Sequence, residues 1–326
     1  MEPDGDEATV TVSSPVPRSS DAVATTRHKA KILVEALTYM KAYSGRTVVI
    51  KLGGAAMVSP DLLDAFAEDV ALMRLVGIRP VVVHGGGPQI SELMIRLGLK
   101  PRFEDGYRVT DSDVLEATAM ALVGKINRSI VGAINRHGDV AVGLSGEDAN
   151  MLVTEKKLGP SGSDLGLVGN VVEVRTAVLS QLLDDGFVPV VAPLGRTRTG
   201  QTHNVNADEA AGAIAEAIGA EKLVFLTDVA GLYEDFGQQD SLLSEVSLEY
   251  LEEMLTSKKL SEGMVPKVAS CIRALKGGVR RAHILDGRVE HAVLLEVFTP
   301  EGIGTMVTAP GSPTEKEFRA LHEPGS

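Results

Sequence analysis

Lysines and bare backbone are what this chain offers for chemistry. Lys51 ends the apolar run "TVVIKLGG" (47–54), and Lys267 follows Pro266 in "GMVPKVASCIRALKGG" (263–278). Pro266 marks a helix start, so Lys267 falls in a first turn, where a cation is unfavourable unless an anion stands beside it. "VVVHGGGPQI" (81–90) sets Gly85, Gly86 and Gly87 between a buried-type run and a proline that opens another helix. Glycine at a strand end lets amide N–H groups approach an anion with no Cβ in the way, and the following helix adds its positive end. Gly53 and Gly54 do the same after Lys51. In "HNVNADEAA" (203–211), Asn204, Asn206 and Asp208 alternate as an extended segment would, presenting polar side chains on one side where a helix begins. Together these describe a nest for phosphate-sized anions, with two cations and a carboxylate around it. Each alone has a plainer explanation: strand-end glycines make turns, Lys267 would be a solvated lysine, and Asp208 a helix N-cap.

The familiar nucleotide signatures are missing. "ALVGKIN" (121–127) lacks the first glycine and the hydroxyl residue of a P-loop, and no G-x-G-x-x-G follows a strand. "NRHGD" (135–139) is not the H-R-D of protein kinases, and no D-F-G follows it.

Positioning these loops requires a sheet. Short apolar runs ending in turn or glycine signals recur at 47–54, 79–87, 140–148, 187–195, 222–231, 282–287 and 291–298. Between the first two lies "SPDLLDAFAEDVALMRLVG" (59–77), a helix with Ser59 as N-cap, Pro60 in its first turn and Gly77 at its end. Strand, capped helix and strand make a βαβ crossover. Repeated, the unit predicts an α/β fold: an open, mainly parallel sheet covered by helices on both faces, with ligands beyond the carboxyl ends of the strands. The Gly-rich segment from Leu152 to Val174 reads as a hairpin insertion. Residues 1–26 lack apolar periodicity and read as a disordered tail. From Arg27 to Tyr43, Ile32, Leu33, Ala36, Leu37, Met40 and Tyr43 recur at helical spacing, giving a helix that lies on its own domain or contacts another subunit.

Composition narrows the classes. With 44% hydrophobic residues, 4% aromatics and no tryptophan, the core must be Val, Leu, Ile and Ala. A net charge of -12 argues against a nucleic-acid partner, so any positive site must be local. The lone Cys271 excludes an intrachain disulfide or a thiolate metal site and fits a reducing cytoplasm. No apolar run approaches a membrane span, and the acidic N-terminus "MEPDGDEATV" is unlike a signal peptide.

The motifs "VVIKLGG", "VVVHGGGPQI", "GYRVTD", "NVNADEAA", "LVFLTDVAGLY" and "GMVPKV", in that order between about Ile32 and Thr308, resemble the amino acid kinase family, and within it the branch that phosphorylates N-acetyl-L-glutamate. The resemblance implies an αβα sandwich with an extra N-terminal helix at 27–44. It implies an N-terminal lobe (45–215) for acetylglutamate binding and dimer contacts, and a C-terminal lobe (216–326) for ATP and arginine. Phosphoryl transfer from MgATP to the side-chain carboxylate is the implied reaction, with Mg2+ held mainly by the nucleotide phosphates and no protein metal ligand. A carboxylate is already ionised at pH 7, so no general base is needed. By the same likeness Lys51 and Lys267 stabilise the transferring group and Asp208 holds both. Gly53, Gly54 and Gly85 cradle phosphate, while Gly86, Gly87, Arg108, Asn204 and Asn206 bind acetylglutamate. Thr227, Asp228 and Tyr233 are expected near the adenine and ribose. Without the series, Arg108 would read as a surface ion pair.

Members of the feedback-inhibited branch carry an N-terminal helix that links three dimers into a hexamer and bind L-arginine beside an "EGIGTM" stretch, here 301–306. Tyr39, His283, Glu296 and Gly302 are the expected arginine site. A PII-type signalling partner, known for some relatives, has no support in these residues. Ala55 and Glu262 depart from the usual pattern. Rival acceptors within the fold are N-acetyl-α-aminoadipate, aspartate and UMP, and a rival role is a non-catalytic arginine sensor.

Overall fold

The computed structural model describes residues 20–235, 238–257, 260, 263–299 and 302–312. Its centre is an eight-stranded sheet. In chain order the strands are β1 (Thr47–Leu52), β2 (Arg79–His84), β3 (Ala141–Ser145), β4 (Val188–Ala192), β5 (Lys222–Thr227), β6 (Glu245–Ser247), β7 (Arg281–Asp286) and β8 (Thr305–Thr308), arranged β6-β8-β7-β5-β1-β2-β4-β3. All neighbouring pairs are parallel except β7 with β8. The open, mainly parallel sheet expected from the repeated βαβ pattern is therefore present.

Strand alternation sorts the two faces. Val48, Ile50 and Leu52 of β1 bury on one side with α2 (Pro60–Leu75) and the long helical segment 112–135. Val49 buries on the other, against α3 (Ala207–Ala217) and α4 (Val265–Lys276). Lys51 has the parity of Val49, so the period of two aims it at the face carrying Asp208 and Lys267. The helices α3 and α4 approach closely because Gly212 has no side chain: a Cβ there would lie 3.2 Å from the Ser270 carbonyl oxygen.

Ser59 caps α2, its hydroxyl accepting from Leu62 N at 3.4 Å, a contact worth about 1 kcal/mol. Gly77 takes φ +90° past the helix end, a left-handed turn that only glycine adopts cheaply.

Three expectations need correction. The N-terminal helix, α1, runs Ser20–Tyr43 and not from Arg27, because once a helix is nucleated each added residue gains a hydrogen bond; residues 1–19 of the expected tail lie outside the described residues. The run 291–298 is a helix, α5 (Ala292–Phe298), and not a strand. A mostly apolar run fits either when buried, and here the buried Asp69 carboxylate stands at the helix start, 2.7 Å from Nδ1 of His291, the residue that caps it. Finally, the hairpin of 152–158 and 164–174 does not stand alone: segments 194–196 and 202–205 close it into a small barrel.

The N-terminal helix divides its apolar face. Tyr39 and Tyr43 are buried with Ala36 and Met40 packed beside them, whereas Ile32, Leu33, Val34 and Leu37 stay 44–67% exposed.

Candidate active site

β1 and β2 pair with Leu52 opposite His84, which sets the two glycine loops level at the carboxyl edge of the sheet. Gly85 N–H bonds to the Leu52 carbonyl at 2.9 Å, fastening one loop to the other. Lys51 emerges there and meets Asp208 Oδ1 at 2.9 Å, while Lys267 meets Oδ2 at 3.0 Å. The first contact is a close ion pair without hydrogen-bond alignment; the second is an aligned hydrogen bond. Lys51 and Asp208 are 8% and 5% exposed, so these charges are little screened. Burial alone would push the Asp208 carboxyl up, but the two ammonium groups outweigh it and hold it below its usual range. Asp208 stays ionised and holds both cations, with the Lys51 ammonium against Gly53.

Asp208 is in the first helical turn and is not the cap. Asn206 is the N-cap, its side-chain oxygen accepting from Asp208 N at 2.8 Å and Glu209 N at 3.2 Å. Lys267, in the first turn of α4, pairs with Asp208 across the helix interface, the anion that its unfavourable position required.

The glycines have distinct reasons. A Cβ at Gly53 would collide with the Lys51 ammonium, and Gly54 has φ +63° with a would-be Cβ pressed into the Asp228 carboxylate. Asp228 Oδ1 accepts from Ala55 N at 2.7 Å, so Ala55 contributes its backbone and its departure from the usual residue leaves that bond intact. Glu262 lies outside the described residues. Gly87 faces open space. Gly86 does not keep a ligand path clear: a Cβ there would run into Ile126 Cδ1 and come within 3.1 Å of Leu122 Cδ2. Both belong to a π-helical stretch, Met120–Asn127, that packs under the loop.

A cavity of about 180 Å³ opens beside the clamp, lined among others by Gly85, Gly86, Gly87, Arg108, Asn204 and Asn206. Arg108 is 8% exposed and has no carboxylate partner among the described residues. It donates to the Gly87 carbonyl at 3.0 Å and Ser91 Oγ at 2.8 Å, and lies 4.7 Å over the Phe103 ring. Its charge meets only neutral acceptors at the cavity wall, an arrangement that can take an anion. Asn204 donates to Thr110 Oγ1 at 3.3 Å.

His84 is fully buried. Its Nδ1 sits 2.9 Å from the Gly85 carbonyl, which can only accept, so Nδ1 carries the proton and Nε2 accepts from Asn127 Nδ2 at 3.2 Å. Burial pushes its pKa down to about 4, leaving a neutral strand-end strut. Thr227 ends β5 and accepts from Val229 N, while Tyr233 ends the first strand, Leu232–Tyr233, of a two-stranded ribbon with Leu242–Leu243.

At the other end of the sheet's helical cover, His283 Nδ1 donates to Glu296 Oε1 at 2.7 Å, and Glu296 Oε2 accepts from Ile303 N and Gly304 N. Gly302, at φ +61°, leaves room for that carboxylate. Tyr39 is buried in the helix that packs on α5. Two buried cations escaped the reading of the sequence: Lys222, 4.4 Å from the Tyr43 ring, and Arg281, which donates to the Tyr43 hydroxyl at 2.9 Å. Each is the first residue of its strand, and a cation abutting a mainly apolar run was the signal. Also missed were Tyr107, Lys157 and Glu209, which meet at the cavity rim; two of them lie inside the motifs "GYRVTD" and "NVNADEAA".

Residues 46–286 match the amino acid kinase family. An acetylglutamate kinase of Caldanaerobacter subterraneus subsp. tengcongensis is 52% identical over 279 residues, 86% of this chain and 93% of the relative. One from Saccharopolyspora erythraea is 48% identical over 296 residues, 90% and 97% of the two chains. Among solved structures, N-acetylglutamate synthase from Neisseria gonorrhoeae complexed with coenzyme A and L-arginine aligns at TM-score 0.72 and 27% identity; the alignment takes in 86% of this chain but only 65% of the synthase. Carbamate kinase from Giardia lamblia bound to AMP-PNP shares the fold at TM-score 0.61 and 18% identity, covering 82% of this chain and 99% of that one.

Proposed function

The chain belongs to the amino acid kinase family, and on that premise we propose that it is an ATP-dependent kinase acting on the side-chain carboxylate of N-acetyl-L-glutamate. The observation that carries this is the buried Lys51–Asp208–Lys267 clamp set between two glycine loops, beside a cavity whose arginine lacks an anion. The acceptor's α-carboxylate pairs with Arg108, supported by Asn204, which turns its side-chain carboxylate towards the loops. That carboxylate oxygen attacks the γ-phosphorus, the bond to the β-phosphate oxygen breaks, and ADP leaves with the electron pair. The product is an acyl phosphate. No proton moves, in keeping with the neutral, buried His84. Lys51 and Lys267 stabilise charge that spreads over the phosphoryl oxygens in the transition state, and the glycine amides add donors. Both Asp208 oxygens are held by lysines, which fits a Mg2+ carried by the nucleotide's own phosphates and supplying further charge neutralisation. We place acetylglutamate binding within 45–215, and the nucleotide, with Thr227, Asp228 and Tyr233, within 216–326.

Coupled ADP-release assays with N-acetyl-L-glutamate, N-acetyl-α-aminoadipate, aspartate and UMP test this. Turnover with another acceptor and none with N-acetyl-L-glutamate would overturn the substrate.

We also infer that L-arginine inhibits through Tyr39, His283, Glu296 and Gly302. Support comes from the buried His283–Glu296 pair beside the N-terminal helix and from the arginine-bound synthase with a similar fold. The exposed Ile32, Leu33, Val34 and Leu37 suit a contact between subunits in a hexamer of three dimers. No helix among the described residues is long and apolar enough to cross a membrane, consistent with a cytoplasmic enzyme. Removing residues 1–43 should abolish both arginine inhibition and the hexamer; a truncated enzyme still inhibited by arginine would refute this.

A further inference from the structure

Arg108 and the clamp stand on different pieces of the chain, joined at the base by the pairing of 202–205 with the hairpin and by Asn204 to Thr110, and at the cavity rim by one carboxylate. The segment 103–110, which carries Arg108, is strapped to the hairpin 152–174 at two places. Asp105 accepts from Ser161 Oγ at 2.6 Å and Ser163 Oγ at 3.0 Å, and Thr110 bonds to the backbone at Leu165 and Leu167. Segment and hairpin therefore form one flap over the cavity. Opposite lies α3, bearing Asp208. The next residue, Glu209, reaches back to the flap. Its Oε1 accepts from the Tyr107 hydroxyl at 3.0 Å and from the Lys157 ammonium, while that ammonium lies 4.6 Å over the Tyr107 ring. The Glu209 and Lys157 side chains are only 15% and 17% exposed. Tyr107 lines the cavity directly. Glu209 Oε2 is buried without a partner, so the carboxylate keeps its place through Oε1 alone.

We propose that Glu209 is a positioning residue for the acceptor: through Tyr107 and Lys157 it fastens the flap carrying Arg108 to the helix carrying Asp208, so that the substrate cavity exists before the substrate arrives. This rests on the functional reading given above. Preorganisation acts on binding, because a site that is assembled only part of the time lowers apparent affinity by that fraction. Once bound, the acceptor bridges Arg108 and the phosphoryl clamp and restores the closed arrangement. Loss of the joint should therefore raise KM for N-acetyl-L-glutamate while sparing kcat and the KM for MgATP.

Two measurements on the full-length protein test it. In steady-state kinetics, Glu209→Gln, which keeps an acceptor for Tyr107 but loses the charge facing Lys157, should raise KM for N-acetyl-L-glutamate by on the order of tenfold. The kcat should change less than about threefold, since the bound state is restored. Lys157→Met should do the same, and the two together should add little more than either alone. In amide hydrogen exchange without substrate, residues 152–174 should exchange faster in each variant, while 207–217 should not. An unchanged KM, a loss confined to kcat, additive effects or unchanged flap exchange would each overturn the proposal. If Glu209→Gln does not fold, Lys157→Met and Tyr107→Phe give the same readouts from the rim. Should the wild-type enzyme fail to turn over N-acetyl-L-glutamate, the functional reading falls, and the exchange experiment still decides whether Glu209 holds the flap.

Discussion

Replacing Gly86 by alanine asks why the second loop is made of glycine. The obstacle is packing. The new Cβ would overlap Ile126 Cδ1 and approach Leu122 Cδ2 to 3.1 Å, and both side chains sit in a buried π-helical stretch with little freedom to move. Overpacking of this kind costs about 1–3 kcal/mol and displaces the loop by a few tenths of an ångström or more. Shortening the neighbour removes the clash: Ile126→Val deletes the colliding Cδ1 and on its own costs about 0.5–1.5 kcal/mol. Gly86→Ala should lower stability in urea unfolding and raise KM for N-acetyl-L-glutamate. The double variant should recover most of both, with a coupling energy of about 1–2 kcal/mol between two residues in contact. If Gly86 instead clears a path for ligand, Gly86→Ala will unfold like wild type yet bind poorly, and Ile126→Val will rescue nothing. Either result refutes the packing argument.

Lys267→Ala should lower kcat by roughly 10²–10³-fold with modest changes in either KM, because its contact strengthens as charge spreads in the transition state; an undiminished kcat removes it from the mechanism. Arg108→Ala, which empties the cavity of its cation, should chiefly raise KM for N-acetyl-L-glutamate by about 10²-fold, the scale of a lost buried charge-assisted pair; titration calorimetry with N-acetyl-L-glutamate checks it independently. His84 makes stability depend on pH. Its folded pKa, about 4, lies below the ordinary 6.5, so the folded state binds fewer protons, and the stabilisation is full above pH 6.5 and lost as pH falls towards 4. At about 1.4 kcal/mol per unit the loss is on the order of 3 kcal/mol. His84→Asn should reduce that slope in unfolding curves between pH 4 and 6.5, while the pH profile of kcat stays as in wild type.

How far the site was legible in the sequence depended on whether a residue's role is local. Lys51 and Lys267 stood out locally, one at a strand end before two glycines and the other as a cation in a first helical turn that needs an anion, while their roles came from the resemblance of the motif series. The pairing of both with Asp208 follows once α3 and α4 approach over Gly212. Gly86 was misjudged for the opposite reason. Its constraint comes from Ile126, 40 residues away in sequence, and no local pattern announces that a helix will switch to π geometry beneath a loop. The helix at 292–298 shows the same limit: a mostly apolar buried run fits strand or helix, and its partner at the helix start, Asp69, lies more than 200 residues upstream. Glu209 was passed over although it stands beside Asp208, because an acidic residue in a first helical turn already has a sufficient local explanation in the helix dipole. Only the distant Lys157 and Tyr107 reveal that its side chain turns to the flap. Chemistry that a residue performs through its own element can be read from the chain; chemistry that depends on which elements meet requires the fold.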